Sequence, residues 1–123
     1  MLQALVVEDD PNSGSALAEL IELYGCAART ATTLAEARAH IRAHIPDVLF
    51  IDRRLPDGNG LDLLEALPAE CATEVIVVTG DASTDVPSTA GRPMHLLVKP
   101  VDIAQLRHLL ATIAEQRARS APV

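Results

Sequence analysis

Three carboxylates, a hydroxyl and an ammonium punctuate this chain where four apolar runs stop. Val6-Val7 leads into Glu8-Asp9-Asp10, Leu49-Phe50-Ile51 into Asp52, Val77-Val78 into Thr79-Gly80, and Val98 into Lys99-Pro100. In an open parallel sheet the carboxyl ends of the strands form the crevice where ligands bind. Glu8, Asp9 and Asp52 gathered there would repel one another unless one kept a proton or a cation sat among them. An all-oxygen donor set suits Mg²⁺, with Mn²⁺ as the alternative, rather than zinc. Mg²⁺ typically takes one or two carboxylates and leaves room for a phosphate. An aspartate can itself act as nucleophile and form an acyl phosphate. The phosphoryl oxygens then need their charge stabilised. A metal, the Lys99 ammonium, and the Thr79 hydroxyl with nearby backbone N–H groups could each take one. Gly80 leaves space beside Thr79.

Those ends must be held by a fold, and the apolar pattern supplies one. Residues 3–7 read as a buried strand, and Asp10-Pro11-Asn12 opens a helix with proline in its first turn. Ala16, Leu17, Leu20, Ile21 and Tyr24 keep helical spacing until Gly25. Residues 26–30 form a weak strand. Thr33 with Glu36 is a capping-box pattern for a helix carrying Leu34, Ala37, Ile41 and Ile45 on one face and ending at Pro46. Residues 48–51 are the clearest strand. The cluster Pro56-Asp57-Gly58-Asn59-Gly60 turns the chain into a short helix over about 60–67. Residues 75–78 and 96–98 are the last strands. Asp102 with Gln105 caps a final helix whose Ile103, Leu106, Leu110 and Ile113 face inward. Strands without polar alternation are buried on both faces. The pattern therefore predicts a three-layer α/β/α sandwich on a five-stranded parallel sheet. Between Asp81 and Met94 the alternation calls for a helix, but Pro87, Gly91 and Pro93 predict a short or irregular one, since proline costs about 3 kcal/mol in a helix interior.

Composition narrows the setting. The chain has 123 residues, 49% of them apolar, and a formal charge of −7. That is one domain's length with enough apolar residues for a core. We take residues 1–117 as that domain and 118–123 as a fraying tail. The acidic balance argues against a nucleic-acid face, which needs clustered lysine and arginine. No leader pattern, no membrane-length apolar run and only two cysteines, Cys26 and Cys71, predict a reducing, cytoplasmic setting away from membranes.

An acidic pair after the first strand, Asp52 ending the third, Thr79 ending the fourth and Lys99-Pro100 ending the fifth resemble the receiver domain of two-component response regulators. The resemblance runs from Leu5 to about Ala114 and implies the flavodoxin-like strand order 2-1-3-4-5. It implies that Asp52 accepts a phosphoryl group from a phosphohistidine of a histidine kinase or histidine phosphotransfer protein. Asp9, Asp52 and the backbone carbonyl of Arg54 would bind Mg²⁺, with Glu8 acting mainly through water and Asp10 peripheral. Thr79 would hydrogen-bond the phosphoryl group, Lys99 would pair with it, and the Lys99–Pro100 bond would be cis. Such domains signal rather than turn over metabolites, and they often pair, so a homodimer stays open.

One departure bears on output. The family's switch position, three before the lysine and usually aromatic or histidine, is Leu96. With the irregular fourth helix, this implies an altered output face, with phosphorylation read elsewhere or phosphate passed to a histidine phosphotransfer partner. The segment around Lys99 also looks like receivers attached to hybrid histidine kinases.

Other residues weigh less. His40 and His44, at i and i+4, could clamp a metal, but the core stripe of Ile41 and Ile45 makes them a solvated pair. His95 and His108 have no partner apparent in the sequence. The Arg54 side chain could reach Asp81 and shield an acyl phosphate from water. Gly58 and Gly60 are read as turn formers. The competing readings are an aspartyl-phosphate phosphohydrolase, which wants an acid where Arg54 stands; a flavodoxin-like carrier, which Glu8-Asp9-Asp10 and the scarcity of aromatics oppose; and a non-phosphorylated interaction module on the same scaffold.

Overall fold

A computed structural model describes residues 1–68, 71–80 and 94–120. Five strands, β1 (Gln3–Val7), β2 (Ala27–Ala31), β3 (Val48–Asp52), β4 (Glu74–Thr79) and β5 (Met94–Val98), form one sheet. The order is β2-β1-β3-β4-β5 and every neighbouring pair is parallel. Helices α1 (Pro11–Leu23) and α2 (Leu34–Ala43) follow the first two strands, a 3-10 helix spans Gly60–Ala66, and α3 covers Ile103–Ser120. Between β3 and the 3-10 helix, Arg54–Leu55 pairs antiparallel with Gly58–Asn59.

Successive side chains of a strand point to opposite faces, so uninterrupted apolar strands feed two cores. Val6, Phe50, Ile76 and Leu97 pack with Leu17 and Ile21 of α1 and Leu106, Leu110 and Ile113 of α3. Leu5, Val7, Leu49, Ile51 and Val75 pack with Leu34, Ala37 and Ile41 of α2 and with Leu63. This is the expected three-layer sandwich. The irregular helix expected between Asp81 and Met94, with Pro87, Gly91 and Pro93, lies outside the described residues.

The helix starts follow the capping chemistry read from sequence. Asp10 Oδ1 accepts from Asn12 N at 3.0 Å, Thr33 Oγ1 from Glu36 N at 3.1 Å, and Asp102 Oδ1 from Ala104 N at 2.8 Å. The Glu36 carboxylate reaches back to Thr32 N and Oγ1, one residue before the cap. At its far end, α3 is tied beneath the sheet. Arg117 meets the Asp47 carboxylate at 3.2 Å and donates to the Asp47 and Ala72 carbonyls at 3.1 and 2.8 Å.

Several inward positions differ from expectation. Ile103 is 52% exposed together with the rest of the first turn of α3, so the buried stripe of this helix begins at Leu106. Ile45 is 40% exposed, since α2 ends at Ala43 and its extended C-cap His44 turns the chain away from the stripe. Ala16 is exposed, and Gly14 and Ala18 occupy buried positions of α1 instead. The second strand starts and ends one residue later than read. The short helix after the third strand is a 3-10 helix, and α3 continues through Ser120, into the stretch expected to fray.

Candidate functional site

Each strand end delivers its candidate residue to the same edge. Glu8 follows β1, Asp52 closes β3, Thr79 closes β4 and Lys99 follows β5. Backbone bonds continue the sheet ladder past the strands and pin them: Glu8 N donates to Ala31 O at 2.9 Å and Lys99 N to Thr79 O at 2.7 Å. The Lys99–Pro100 bond is cis.

The three carboxylates meet as read, with one oxygen from each of Glu8, Asp9 and Asp52 lying within 4.8 Å of the others. Among the described residues, they are the single group of three or more such side chains close enough to share an ion. Lys99 Nζ bridges two of them, at 3.2 Å from Glu8 Oε2 and 3.4 Å from Asp52 Oδ2. The other Asp52 oxygen, Oδ1, accepts from Arg54 N at 3.1 Å. Glu8 is buried, Asp52 half-buried and Asp9 exposed, so the cluster has a dry back and an open front.

Burial, then the hydrogen bond and negative charge of Asp52, push the Glu8 carboxyl up to about 7 against the opposing pull of Lys99. For Lys99, burial disfavours the ammonium, but the hydrogen bond to Glu8 and the charges of Asp52 and Glu8 outweigh it and raise its pKa. Asp10 stands apart. Its carboxylate caps α1 through Asn12 N and Ser13 Oγ, which holds it below the usual range.

Two clefts join at Asp52 and Lys99. One, of about 600 Å³, has Asp9, Arg53, Arg54, Asn59, Thr79 and Gly80 on its walls. The other, of about 310 Å³, is mainly apolar and runs along α1 past Ser13, Ala16, Leu17 and Leu20 to Pro100 and Val101. All six residues singled out from sequence, Glu8, Asp9, Asp52, Arg54, Thr79 and Lys99, therefore gather at one edge.

Sequence reasoning missed the supporting parts. Asn59, read only as a turn residue, lines the cleft and caps the 3-10 helix through Leu61 N at 2.9 Å. Gly60, also read as a turn former, is buried against the Asp52 backbone. A Cβ there would collide with Asp52 O and Ile51 Cγ2. A Gly-x-Gly in the loop just after a candidate acceptor is a signal that could have suggested close approach. His95 has a partner after all, Glu74 Oε2 at 3.0 Å. The Arg54–Asp81 contact falls outside the described residues. His40 and His44 sit at the end of α2, with His44 N bonded to His40 O.

Comparison with known proteins bears on this arrangement. The response regulator receiver domain family matches residues 4–111. The chain is 32% identical to the response regulator protein PilR of Pseudomonas aeruginosa, over 98% of its own length and 28% of PilR. It is 33% identical to the photosynthetic apparatus regulatory protein RegA of Cereibacter sphaeroides, over 90% of its length and 62% of RegA. It thus spans less than two thirds of either relative. Among solved structures, a CheY-like receiver domain from Methylobacillus flagellatus superposes with a TM-score of 0.81 at 33% identity, covering 92% of this chain and 98% of that one. A second CheY-like receiver, from Methanospirillum hungatei, gives 0.78 at 25% identity over 98% and 99%.

Proposed function

The chain belongs to the response regulator receiver family of two-component systems, and from that premise we propose that Asp52 is its phosphoacceptor. The observation that carries this reading is the setting of Asp52. One oxygen is held by the backbone of its own loop and the other by Lys99, beside two further carboxylates and the mouth of an open cleft. Such fixing aims a carboxylate at an incoming group before the reaction begins.

A phosphohistidine on a histidine kinase or histidine phosphotransfer protein is the donor this chemistry fits. An Asp52 oxygen attacks phosphorus, the new P–O bond forms, the P–N bond breaks, and the electron pair leaves on the imidazole nitrogen. Lys99 can follow the developing charge from Asp52 to the phosphoryl oxygens. The Thr79 hydroxyl and the backbone beside Gly80 stand on the same cleft wall to receive another oxygen.

The donor set fits Mg²⁺: three clustered carboxylates supply only oxygen, as that ion demands. Asp9, Asp52 and the Arg54 carbonyl would hold it, with Glu8 behind them, and bound there it would offset the charge of the phosphoryl group. Mn²⁺ suits the same donors. Asp9, the exposed member, is the one a hydrated ion meets first.

Half-buried Leu96 pairs with Val77 across β4 and β5. With an aliphatic side chain there, no aromatic ring is available to swing, and the phosphorylated state is read elsewhere or passes its phosphate onward. Amide spectra with and without a phosphoryl mimic are expected to differ little over Met94–Val98. Large shifts confined to that strand would contradict this.

Incubation with a small acyl- or amidophosphate donor, with and without Mg²⁺, tests the central claim by intact mass. One Mg²⁺-dependent phosphoryl adduct is expected in the wild type and none in Asp52→Asn. An adduct that persists in the variant removes Asp52 from the role. A chain that neither forms an adduct nor binds Mg²⁺ favours the interaction-module reading.

A further inference from the structure

The segment between Asp52 and Gly60 holds the acceptor's neighbours, and its local anchors are short-range bonds, Arg54 N to Asp52 Oδ1 at 3.1 Å and Gly60 N to Arg53 O at 2.8 Å. Its two-residue arms pair only Arg54 with Asn59 and Leu55 with Gly58, and so short a hairpin is marginal in water. Leu55 is buried, while Pro56, Asp57, Gly58 and Asn59 are exposed. A longer-range tie runs to another element. Asp57 Oδ1 accepts from Leu34 N at 2.8 Å and Oδ2 from Ala35 N at 3.1 Å. Both oxygens of one carboxylate thus bind the first two amides of α2. Gly58, at φ +147°, brings the loop within 2.8 Å of Leu34 Cδ1, measured from where a Cβ would stand.

An N-terminal helix turn has unpaired N–H groups and a positive dipole end, and a carboxylate satisfies both. Here the helix already has a local cap. Thr33 takes Glu36 N, and Ala37 N bonds to Thr33 O. Asp57 takes the Leu34 and Ala35 donors from 22 or 23 residues away. The bond to Leu34 N, the largest influence, holds the Asp57 carboxyl below the ordinary range, so the contact persists at neutral pH.

We propose that Asp57 is a positioning residue, whose carboxylate latches the Asp52–Gly60 segment onto the N-terminus of α2 and so holds the Arg54 backbone in register with Asp52. This rests on the phosphoacceptor reading for its consequence at the metal, but not for the latch itself. Coupling through such a contact is reciprocal: filling the Asp52 site tightens the first turn of α2, and freeing that turn loosens the site.

The test compares wild type with Asp57→Ala, Asp57→Asn and Thr33→Ala. Thr33→Ala removes a cap from the same helix end without touching the loop, so it reports what helix fraying alone does. In metal-free protein, exchange at the Arg54 and Gly60 amides, which bond to Asp52 Oδ1 and Arg53 O, is expected to quicken about fivefold in Asp57→Ala, the scale of losing one helix cap. Asp57→Asn keeps one acceptor oxygen and falls between, and Thr33→Ala, which frays the turn but keeps the latch, has a clearly smaller effect than Asp57→Ala. Mg²⁺ titration by calorimetry is expected to show a similar, about fivefold weakening in Asp57→Ala. Unchanged exchange at Arg54 and Gly60, equal Mg²⁺ affinity, or equal effects from Thr33→Ala would each overturn the proposal. If the wild type binds no Mg²⁺, the phosphoacceptor reading falls by itself, and the two amides still decide on the latch.

Discussion

At the residue scale, Glu8 has the largest energetic leverage, because its carboxyl titrates near 7 in the fold and near its ordinary value in the unfolded chain. Between those values the native state binds a proton that the unfolded state does not. Stability from this group is therefore fully present below about 4.5 and fades as pH rises through about 7. Glu8→Gln keeps the side chain neutral throughout. The difference in unfolding free energy, variant minus wild type, should be near zero at pH 4.5 and grow toward pH 8, as followed by urea denaturation. A difference that stays flat over that window would show that Glu8 is not the protonated member of the cluster. Gly60 sits at the same scale. A methyl group there meets Asp52 O and Ile51 Cγ2, and Gly60→Ala should cost about 1–3 kcal/mol, the range for overpacking a core, read as a lower denaturation midpoint.

Elements explain both what the sequence disclosed and what it withheld. Strand ends were legible because an apolar run that stops at Glu8, Asp52, Thr79 or Lys99 marks the boundary between core and crevice on its own. Helix faces were legible in their middles, at Leu17, Ile21, Leu106 and Leu110, where each side chain meets the sheet. They were misjudged at Ile45 and Ile103, because periodicity assigns a side to each residue without saying where the partner surface ends. The Asp57 latch and the Glu74–His95 pair had no local signature, since each joins residues more than 20 positions apart. The α3 register makes a direct prediction. Leu106→Ala, at a fully buried site, should cost about 2–5 kcal/mol. Ile103→Ala should stay within about 0.5 kcal/mol. Comparable losses from both would mean that the first turn of α3 is packed.

For the whole molecule, the site and the fold share one free energy. An ion that binds only the folded cluster of Glu8, Asp9 and Asp52 stabilises the chain by mass action, about 1.4 kcal/mol at ten times its dissociation constant. Thermal unfolding should shift upward with Mg²⁺ in the wild type and not in an Asp9→Asn, Asp52→Asn double variant. An equal shift in both would place the ion elsewhere. At the opposite end of the sheet, Arg117 ties α3 to Asp47 and Ala72. Arg117→Ala should cost about 1–2 kcal/mol, mainly through the two lost carbonyl bonds, and leave Mg²⁺ binding unchanged.

Lys99 bonds to Glu8 across 91 positions of the chain and to Asp52 across 47. During synthesis the acidic residues leave the ribosome long before the lysine that balances them. A nascent copy halted before its last strand would carry a carboxylate cluster with no ammonium to steady it. On the phosphoacceptor reading proposed above, the site is therefore completed only when the sheet closes, and a copy truncated before Lys99 is expected to take up no phosphoryl group.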